Sequence, residues 1–132
     1  MMSGEYQQSV DELQQHLKDT DPMQIDLDTR ENVSVFNLKG RLDSNTSPEL
    51  EEVIATQIEN GSHSLVINFE NLDYISSAGL RVILKATKDL KRREGKLMLC
   101  AMQDYVKEVF EIAGFDTFLP IVPTMDEAIS KL

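Results

Sequence analysis

Two adjacent serines, Ser76 and Ser77, stand directly before Ala78 and Gly79 and ahead of a strongly patterned apolar run. A serine hydroxyl at the start of a helix can cap that helix, attack a substrate as a nucleophile, or accept a phosphate. Each role needs different surroundings. The chemistry of this pair therefore depends on the elements that position it.

Capping is the ordinary role of such a serine, because its oxygen accepts from a free backbone N–H and stabilises the helix by about 1 kcal/mol. A nucleophile would need a base and an oxyanion site, yet S-S-A-G differs from G-x-S-x-G, and neither His16 nor His63 has a predicted place beside the pair. We therefore expect no catalytic residue and no enzyme. A phosphate, by contrast, would bring about −1.5 to −2 charges to a helix start that favours anions, so a serine here can be a switch.

The overall charge limits the kinds of partner. The chain has 132 residues and a formal net charge of −10, from 23 acidic and 13 basic residues. Such a surface repels nucleic-acid phosphates and anionic lipids, so we expect no direct nucleic-acid partner. No apolar stretch approaches the roughly 20 residues that cross a bilayer, and the polar N-terminus lacks the regions of a signal peptide. The sequence thus predicts a cytoplasmic protein with no membrane insertion.

Metal-binding residues are sparse. Cys100 is the only cysteine, which excludes an internal disulfide, and two distant histidines, His16 and His63, give no zinc spacing. We expect no metal and no cofactor, and we interpret Cys100 as a small core residue.

The first 22 residues differ in character from the rest. Val10, Leu13 and Leu17 recur at helical spacing on a polar stretch that ends near Pro22. We predict a short amphipathic helix over residues 1–22, with a disordered tail as the open alternative. A helix this short is marginal alone, so it would dock on the domain or on a partner, and it could dimerise the domain or guard one of its faces.

From Met23 the pattern changes to alternation. Residues 23–28 and 33–38 carry alternating apolar side chains around a turn at 30–32, which predicts an antiparallel hairpin. The helix that follows has two candidate starts.

In the first candidate start, Thr46 and Glu49 form a capping box. In the second, Ser47 precedes Pro48, a residue favoured at the first helical position. The helix ends before Gly61 in both cases.

Strands and helices then alternate to the end of the chain. We predict a strand at 64–69, a helix over about 78–94, a strand at 96–101, a helix within 103–114, an extended stretch at 118–122, and a last helix in which Thr124 and Glu127 form the cap. In the helix within 103–114, the side chains expected to face inward are Val106, Val109, Phe110 and Ile112.

These elements predict one α/β domain over 23–132, in which a mixed sheet carries its helices mainly on one face. Right-handed crossovers should connect the parallel strands. The sequence pattern does not fix the strand order.

Three separated motifs resemble the STAS domain of bacterial anti-sigma factor antagonists. They are LKGRLDSNT at 38–46, NLDYISSAGLRVIL at 71–84 and LMLCAMQDYVKEVFEIAGFDTFLPI at 97–121. The resemblance extends from about Met23 to the last helix. It implies a STAS-like fold with no catalysis of its own.

The resemblance also implies a phosphate acceptor. In that family the serine two positions before the motif glycine is phosphorylated, and this serine is Ser77 when Gly79 is the glycine. Ser76 stands where many members carry Asp, and it ranks second as an acceptor. Asp43 matches a family acidic residue that is expected near the acceptor loop, and an ordinary turn residue is the equally weighted alternative.

The mechanism that the resemblance implies is partner switching in transcription regulation and signal transduction. The unphosphorylated protein would bind an anti-sigma factor serine kinase and so free the sigma factor, phosphorylation would release it, and a PP2C-type phosphatase would act on the phosphorylated form. The implied partner-binding residues are Asp43, Ser76, Ser77, Ala78, Gly79, Arg81 and Lys85, and Lys88 continues this surface along the helix.

Other roles stay open within the same family. Some STAS proteins act as subunits of lipid transport complexes or as signalling scaffolds, without a phosphorylation switch. The resemblance also permits a small-molecule or nucleotide sensor, although no glycine-rich phosphate loop supports one. A homodimer is left open as well.

Overall fold

The described part of the chain is residues 23–132 of a computed structural model. The short helix predicted over residues 1–22 lies outside it. The described chain opens with strand β1, Met23–Arg30, and strand β2, Val33–Leu42. These strands pair antiparallel, which confirms the predicted hairpin.

The hairpin turn is a two-residue loop. Glu31 and Asn32 lie between the paired residues Arg30 and Val33, and their φ angles are 50° and 69°. Two-residue hairpin turns favour positive φ angles because the backbone twist of such turns matches the twist of the flanking strands. Asn adopts this conformation more readily than most residues, so the sequence at the turn supports the observed register.

Helices and strands then alternate to the end of the chain. In order they are helix α1 (Ser47–Glu59), strand β3 (Ser64–Ile75), helix α2 (Ser77–Arg92), strand β4 (Lys96–Cys100), helix α3 (Asp104–Ile112), a 3-10 helix (Phe115–Thr117), strand β5 (Ile121–Val122) and helix α4 (Met125–Ser130). Thr124 caps α4 by accepting from the backbone N–H of Glu127 at 3.1 Å, as predicted. None of the helices among the described residues has the length and apolar character needed to span a membrane.

The five strands form one mixed sheet in the order β1-β2-β3-β4-β5. β1 is antiparallel to β2, and every later pair of neighbours is parallel. The carboxyl ends of β2, β3, β4 and β5 therefore meet at one edge of the sheet. In α/β sheets this is the edge beyond which ligands usually bind.

The two faces of the sheet carry unequal cores. Helices α1, α2 and α3 pack on one face, where their apolar side chains form a large buried cluster with Phe36, Ile67 and Phe69. The other face holds a smaller cluster around Val35 and Val66, and α4 covers it. The predicted α/β fold with helices mainly on one face is confirmed.

Strand β3 extends well beyond its predicted end. It spans 12 residues, Ser64–Ile75, whereas the pattern predicted a strand only to residue 69. Its second half continues to pair with β2, as far as Ile75 beside Leu42. The register shifts within this stretch, so Leu72 and Ile75 are both buried although their spacing breaks the alternation of a regular strand.

The prediction for the inner face of α3 is wrong at one position. Val106 and Phe110 are buried, whereas Ile112 is 79% exposed. Because each residue turns a helix by about 100°, Ile112 lies about 200° round the helix from Phe110 and faces solvent. The extended stretch predicted at 118–122 is also shorter than expected, since only Ile121–Val122 forms a strand.

Candidate functional site

The loops that follow β2 and β3 lie side by side at the carboxyl edge of the sheet. Leu42, the last residue of β2, is paired with Ile75, the last residue of β3. The backbone N–H of Ser76 donates to the carbonyl of Leu42 at 2.9 Å. This hydrogen bond brings Asp43, the residue after Leu42, next to the loop that carries the two serines.

Ser76 and Ser77 have different positions at the start of α2. Ser76 is the half-buried N-cap residue, and its hydroxyl accepts from the backbone N–H of Gly79 at 3.5 Å. Ser77 is the first helical residue and is exposed. Its side chain makes no hydrogen bond with any residue of the described chain. The capping role therefore belongs to Ser76, and Ser77 presents an unbonded hydroxyl.

Gly79 determines how closely α2 approaches the sheet. A methyl group on its Cα would lie 2.7 Å from a carbon of Leu42 and 2.9 Å from a carbon of Ile75. Both distances are far shorter than the 3.5–4.0 Å at which carbon atoms pack, so only glycine fits at this position. The start of α2 thus rests directly on the ends of β2 and β3.

The start of α1 uses its first hydroxyl in another way. Thr46 is the N-cap residue, but its side chain makes no cap bond to the helix. The Thr46 hydroxyl instead accepts from the N–H of Asp43 and donates to the carbonyl of Arg41, both at 2.9 Å. The predicted Thr46-Glu49 capping box is therefore wrong, because the turn before the helix engages the hydroxyl.

The second hydroxyl at this helix start is also engaged. Ser47 is the first helical residue of α1, and its hydroxyl donates to the carbonyl of Asp43. The alternative start with Pro48 as the first helical residue is therefore one residue late. Thr46 is 8% exposed and Ser47 is 4% exposed. Both hydroxyls serve internal hydrogen bonds.

Asp43 organises the turn between β2 and α1. Its Oδ1 accepts from the N–H of Asn45 at 2.9 Å and from the N–H of Thr46 at 3.2 Å. Its Oδ2 lies 4.0 Å from Nε of Arg41, and its side chain is 23% exposed. The carboxylate is thus a turn-forming group that stays partly accessible beside the serine loop.

Basic residues continue the surface of α2 away from Ser77. Ala78, Arg81 and Lys85 line a groove of about 280 Å³ between α2 and the start of α1. Lys85 forms an ion pair with Glu51 of α1, and the hydrogen bond and the charge of that carboxylate raise the pKa of Lys85. Arg81 has no acidic partner within the described residues. The groove therefore offers an unpaired cation one turn beyond Ser77.

The described part of the chain has no histidine and no accessible thiol beside the serines. His63 precedes β3, and its carbonyl accepts from the N–H of Lys96, which places His63 at the opposite edge of the sheet. Cys100 is buried, and burial, followed by the charge of Glu70, raises the pKa of its thiol to about 11. Residues 23–132 contain no cluster of three or more side chains that could hold a metal ion. The site offers the exposed hydroxyl of Ser77 and the surface around it.

One contact at this edge has no signal in the sequence. The guanidinium of Arg41 lies 4.2 Å from the ring centroid of Tyr74, its partner across β2 and β3. A cation over an aromatic face is attracted to it, so Tyr74 holds Arg41 beside Asp43. The contact depends on the shifted register of the two strands, which the pattern of apolar residues does not reveal.

Comparisons with known proteins agree on the family. A family model of the STAS domain matches residues 24–128. The provisionally named anti-sigma factor antagonist BtrV of Bordetella bronchiseptica is 37% identical over 106 residues, which cover 80% of this chain and 91% of BtrV. The anti-sigma-B factor antagonist of Staphylococcus aureus is 29% identical over 101 residues, which cover 75% of this chain and 94% of that protein.

Solved structures share the fold. The anti-sigma factor antagonist SpoIIAA in its unphosphorylated form matches with a TM-score of 0.72 at 25% identity, over 82% of this chain and 95% of that chain. The phosphorylated form of SpoIIAA from Bacillus matches with a TM-score of 0.65 at 24% identity, over 82% of this chain and 98% of that chain. The fold seen here is therefore similar to both states of SpoIIAA.

Proposed function

The chain belongs to the STAS domain family, and we propose that it is an anti-sigma factor antagonist whose binding is switched by phosphorylation of Ser77. The unphosphorylated protein binds a serine-kinase anti-sigma factor, which sets the sigma factor free. Phosphorylation of Ser77 reverses the binding, and a PP2C-type phosphatase restores the active form. The observation that carries the proposal is an exposed, unbonded Ser77 at the start of α2.

Ser77 is the better acceptor of the two serines. A kinase must reach the hydroxyl, and Ser77 is exposed whereas Ser76 is half-buried. Modification of Ser76 would disturb its cap bond to Gly79, while modification of Ser77 leaves that bond in place. The amino end of the helix dipole also stabilises a dianion on Ser77.

Arg81 offers a phosphate on Ser77 a second favourable contact. The two residues are four positions apart, a spacing at which side chains meet on a helix. Arg81 has no acidic partner in the described chain, so pairing with a phosphate would break no existing ion pair. The fold of this protein should therefore tolerate the modification.

The partner, in contrast, should not tolerate it. The partner-binding residues that we propose are Asp43, Ser76, Ser77, Ala78, Gly79, Arg81 and Lys85, and their closeness at one edge of the sheet supports this set. A dianion inside a close interface loses its water, and any facing carboxylate repels it. A coupling of about 1–3 kcal/mol, or roughly 5- to 150-fold in affinity, suffices for regulation.

Within this proposal the protein is a substrate of its partners and catalyses nothing itself. The absence of a histidine beside the serines in the described chain supports that role. We also propose a division into an extension, residues 1–22, and a STAS domain, residues 23–132. The cytoplasm is the compartment in which sigma factors and their regulators would meet the protein.

Calorimetry tests the proposal by measuring the affinity of the protein for the serine-kinase anti-sigma factor of the same organism. Wild type and Ser77→Ala should bind alike, whereas Ser77→Asp and the phosphorylated protein should bind at least about tenfold more weakly. Ser130→Asp adds the same charge at an exposed serine of α4, outside the proposed partner-binding residues, and serves as the matched control, with near wild-type affinity. Equal binding by all forms would contradict the switch and would favour a constant subunit of a lipid transport complex or a signalling scaffold.

The acceptor is identified by a separate measurement. The protein is incubated with the kinase and ATP, and the phosphorylated residue is located by mass spectrometry. We expect phosphate on Ser77 in wild type and in Ser76→Ala, and none in Ser77→Ala. Phosphate on Ser76 of the wild-type protein would overturn the assignment.

A further inference from the structure

The outer side of α2 carries a stripe of basic residues. Arg81, Leu84, Lys85, Lys88, Lys91 and Arg92 line one surface depression along this helix. Their spacing of three or four residues puts them on one side of the helix, and all five cations are exposed. These six residues are termed the basic face below. The basic face begins one turn after Ser77.

Much of the charge on the basic face is uncompensated. Lys85 pairs with an acid of α1, and Arg92 pairs with an acid of its own helix. The other three cations, Arg81, Lys88 and Lys91, form no ion pair in the part of the chain that the structure describes. In a chain of net charge −10, such a group of cations attracts the acidic segments of the same molecule.

The segment that precedes the sheet has the opposite charge. Within residues 1–22 the acidic side chains outnumber the single Lys18, and they are Glu5, Asp11, Glu12, Asp19 and Asp21. The segment also has an apolar stripe at helical spacing, formed by Val10, Leu13 and Leu17. Leu84 supplies apolar area within the basic face. Charge and hydrophobic pattern are therefore complementary between the segment and the face.

The segment joins the domain at the end where α2 begins. Met23 starts β1 and pairs with Gly40, near the end of β2, so residue 22 adjoins the same edge of the sheet as Ser77. The side chain of Met23 is buried in the cluster on the face of the sheet that α2 covers. The tether and the start of the basic face thus lie at the same end and on the same side of the sheet.

The tether is long enough for the segment to cover the face. Helix α2 has 16 residues and is therefore about 24 Å long. A 22-residue segment spans about 75 Å when extended and about 33 Å when helical. A tethered segment also has an effective concentration that can reach the millimolar range, so even a weak contact is populated.

We propose that residues 1–22 bind the basic face of α2 in their own chain. The bound segment covers Arg81 and its neighbours and competes with any protein that docks beside Ser77. This contact goes beyond the proposed function, because it forms without an anti-sigma factor and is measured without one. A failure of either proposal therefore leaves the other untouched.

Paramagnetic broadening in the full-length protein tests the contact. A nitroxide is attached to the cysteine of a Ser9→Cys variant, and amide peaks are compared before and after chemical reduction of the nitroxide. Cys100 is fully buried and its thiol pKa is raised, so it should escape labelling, which unaltered protein treated with the same reagent verifies. Amides of α2 from Arg81 to Arg92 should lose most of their intensity, while amides of α4, on the other face of the sheet, keep theirs.

Charge variants test the cause of the broadening. Lys88→Glu combined with Lys91→Glu should abolish it, and adding Asp11→Lys with Glu12→Lys to that variant should restore it. Lys39→Glu combined with Lys107→Glu changes the net charge equally at exposed positions outside α2, so the broadening should persist. About 1 M salt, where the Debye length is about 3 Å, should weaken it.

Two outcomes would overturn the proposal. One is unchanged intensity along α2 in the labelled protein. The other comes from a mixture of ¹⁵N-labelled protein that has no nitroxide with nitroxide-carrying protein that has no ¹⁵N. Broadening of the α2 amides in this mixture would overturn the proposal. That result would mean that the segment of a second copy binds the face, so the protein would be a dimer.

Discussion

Two neighbouring helix starts use similar hydroxyl pairs for different purposes. Thr46 and Ser47 open α1, are 8% and 4% exposed, and give both hydroxyls to the turn before the helix. Ser76 and Ser77 open α2, where Ser76 caps the helix and Ser77 is exposed and unbonded. Both hydroxyls of the first pair are used in internal hydrogen bonds, whereas one hydroxyl of the second pair is left exposed.

The difference follows from the other contacts that hold each helix start in place. The turn before α1 depends on hydrogen bonds to Thr46 and Ser47. In contrast, α2 follows β3 without an intervening turn, and the close fit of Gly79 against Leu42 and Ile75 anchors it. Packing at Gly79 and the cap bond of Ser76 hold the start of α2. This start does not depend on the Ser77 hydroxyl, which makes no hydrogen bond in the described chain.

The largest effect on stability should occur where packing anchors α2. Gly79→Val should lower the free energy of unfolding by about 3 kcal/mol, because overpacking forces Leu42 or the helix to move. Denaturant unfolding followed by circular dichroism measures the loss. Ala78→Val, at a half-buried position in the same turn, is the matched control and should cost less than about 1 kcal/mol. Equal losses at the two positions would show that Gly79 does not anchor the helix.

A smaller effect should mark the start of α1. Thr46→Val keeps the shape of the side chain but leaves the carbonyl of Arg41 and the N–H of Asp43 without their partner, which should cost about 1–2 kcal/mol. Thr117→Val removes a hydroxyl that donates to a carbonyl at an exposed site, and its loss should stay below about 0.5 kcal/mol. If Thr46→Val costs no more than this control, the hydroxyl pair does not hold α1.

The smallest effect should occur at Ser77. Ser77→Ala should change the free energy of unfolding by less than about 0.5 kcal/mol, since no bond is lost and Ala favours helices. Ser47→Ala is its counterpart in α1 and should cost about 1 kcal/mol through the lost bond to the carbonyl of Asp43. The same unfolding experiment compares the two variants directly. Equal losses would remove the contrast between the two helix starts.

The helices and strands and their order along the chain could be predicted from the sequence, because burial of one side of an element imposes a period on its apolar residues. The cap at Thr124 could also be predicted, since its bond is local in the chain. The hydroxyl of Thr46 could not, because its partners belong to a turn whose shape depends on the whole edge of the sheet. The long β3 was missed for a similar reason, since shifts in its register against β2 interrupt the alternation.

The candidate site was predictable in position and less so in detail. The residue pattern places the serine pair where a strand is followed by a helix, as observed. It predicts that both serines precede a helix that begins at about Ala78, whereas Ser77 is already the first residue of α2. This single residue decides which hydroxyl caps the helix and which is exposed. The short distance between Gly79 and Leu42 depends on packing between elements that are distant in sequence, so the periodic pattern of apolar residues does not predict it.

The order of the sheet also bears on how the protein is made. Each strand pairs with the next strand along the chain, from β1 to β5. Only the β1–β2 hairpin closes a short loop. Each later pair is parallel and closes a loop that contains a helix, which costs more chain entropy than a hairpin. Ribosomes release a chain from its amino end at about 5–20 residues per second, so the sheet can grow one strand at a time as it emerges. The strands and helices around Ser77 can then assemble while the last third of the domain is still being synthesised.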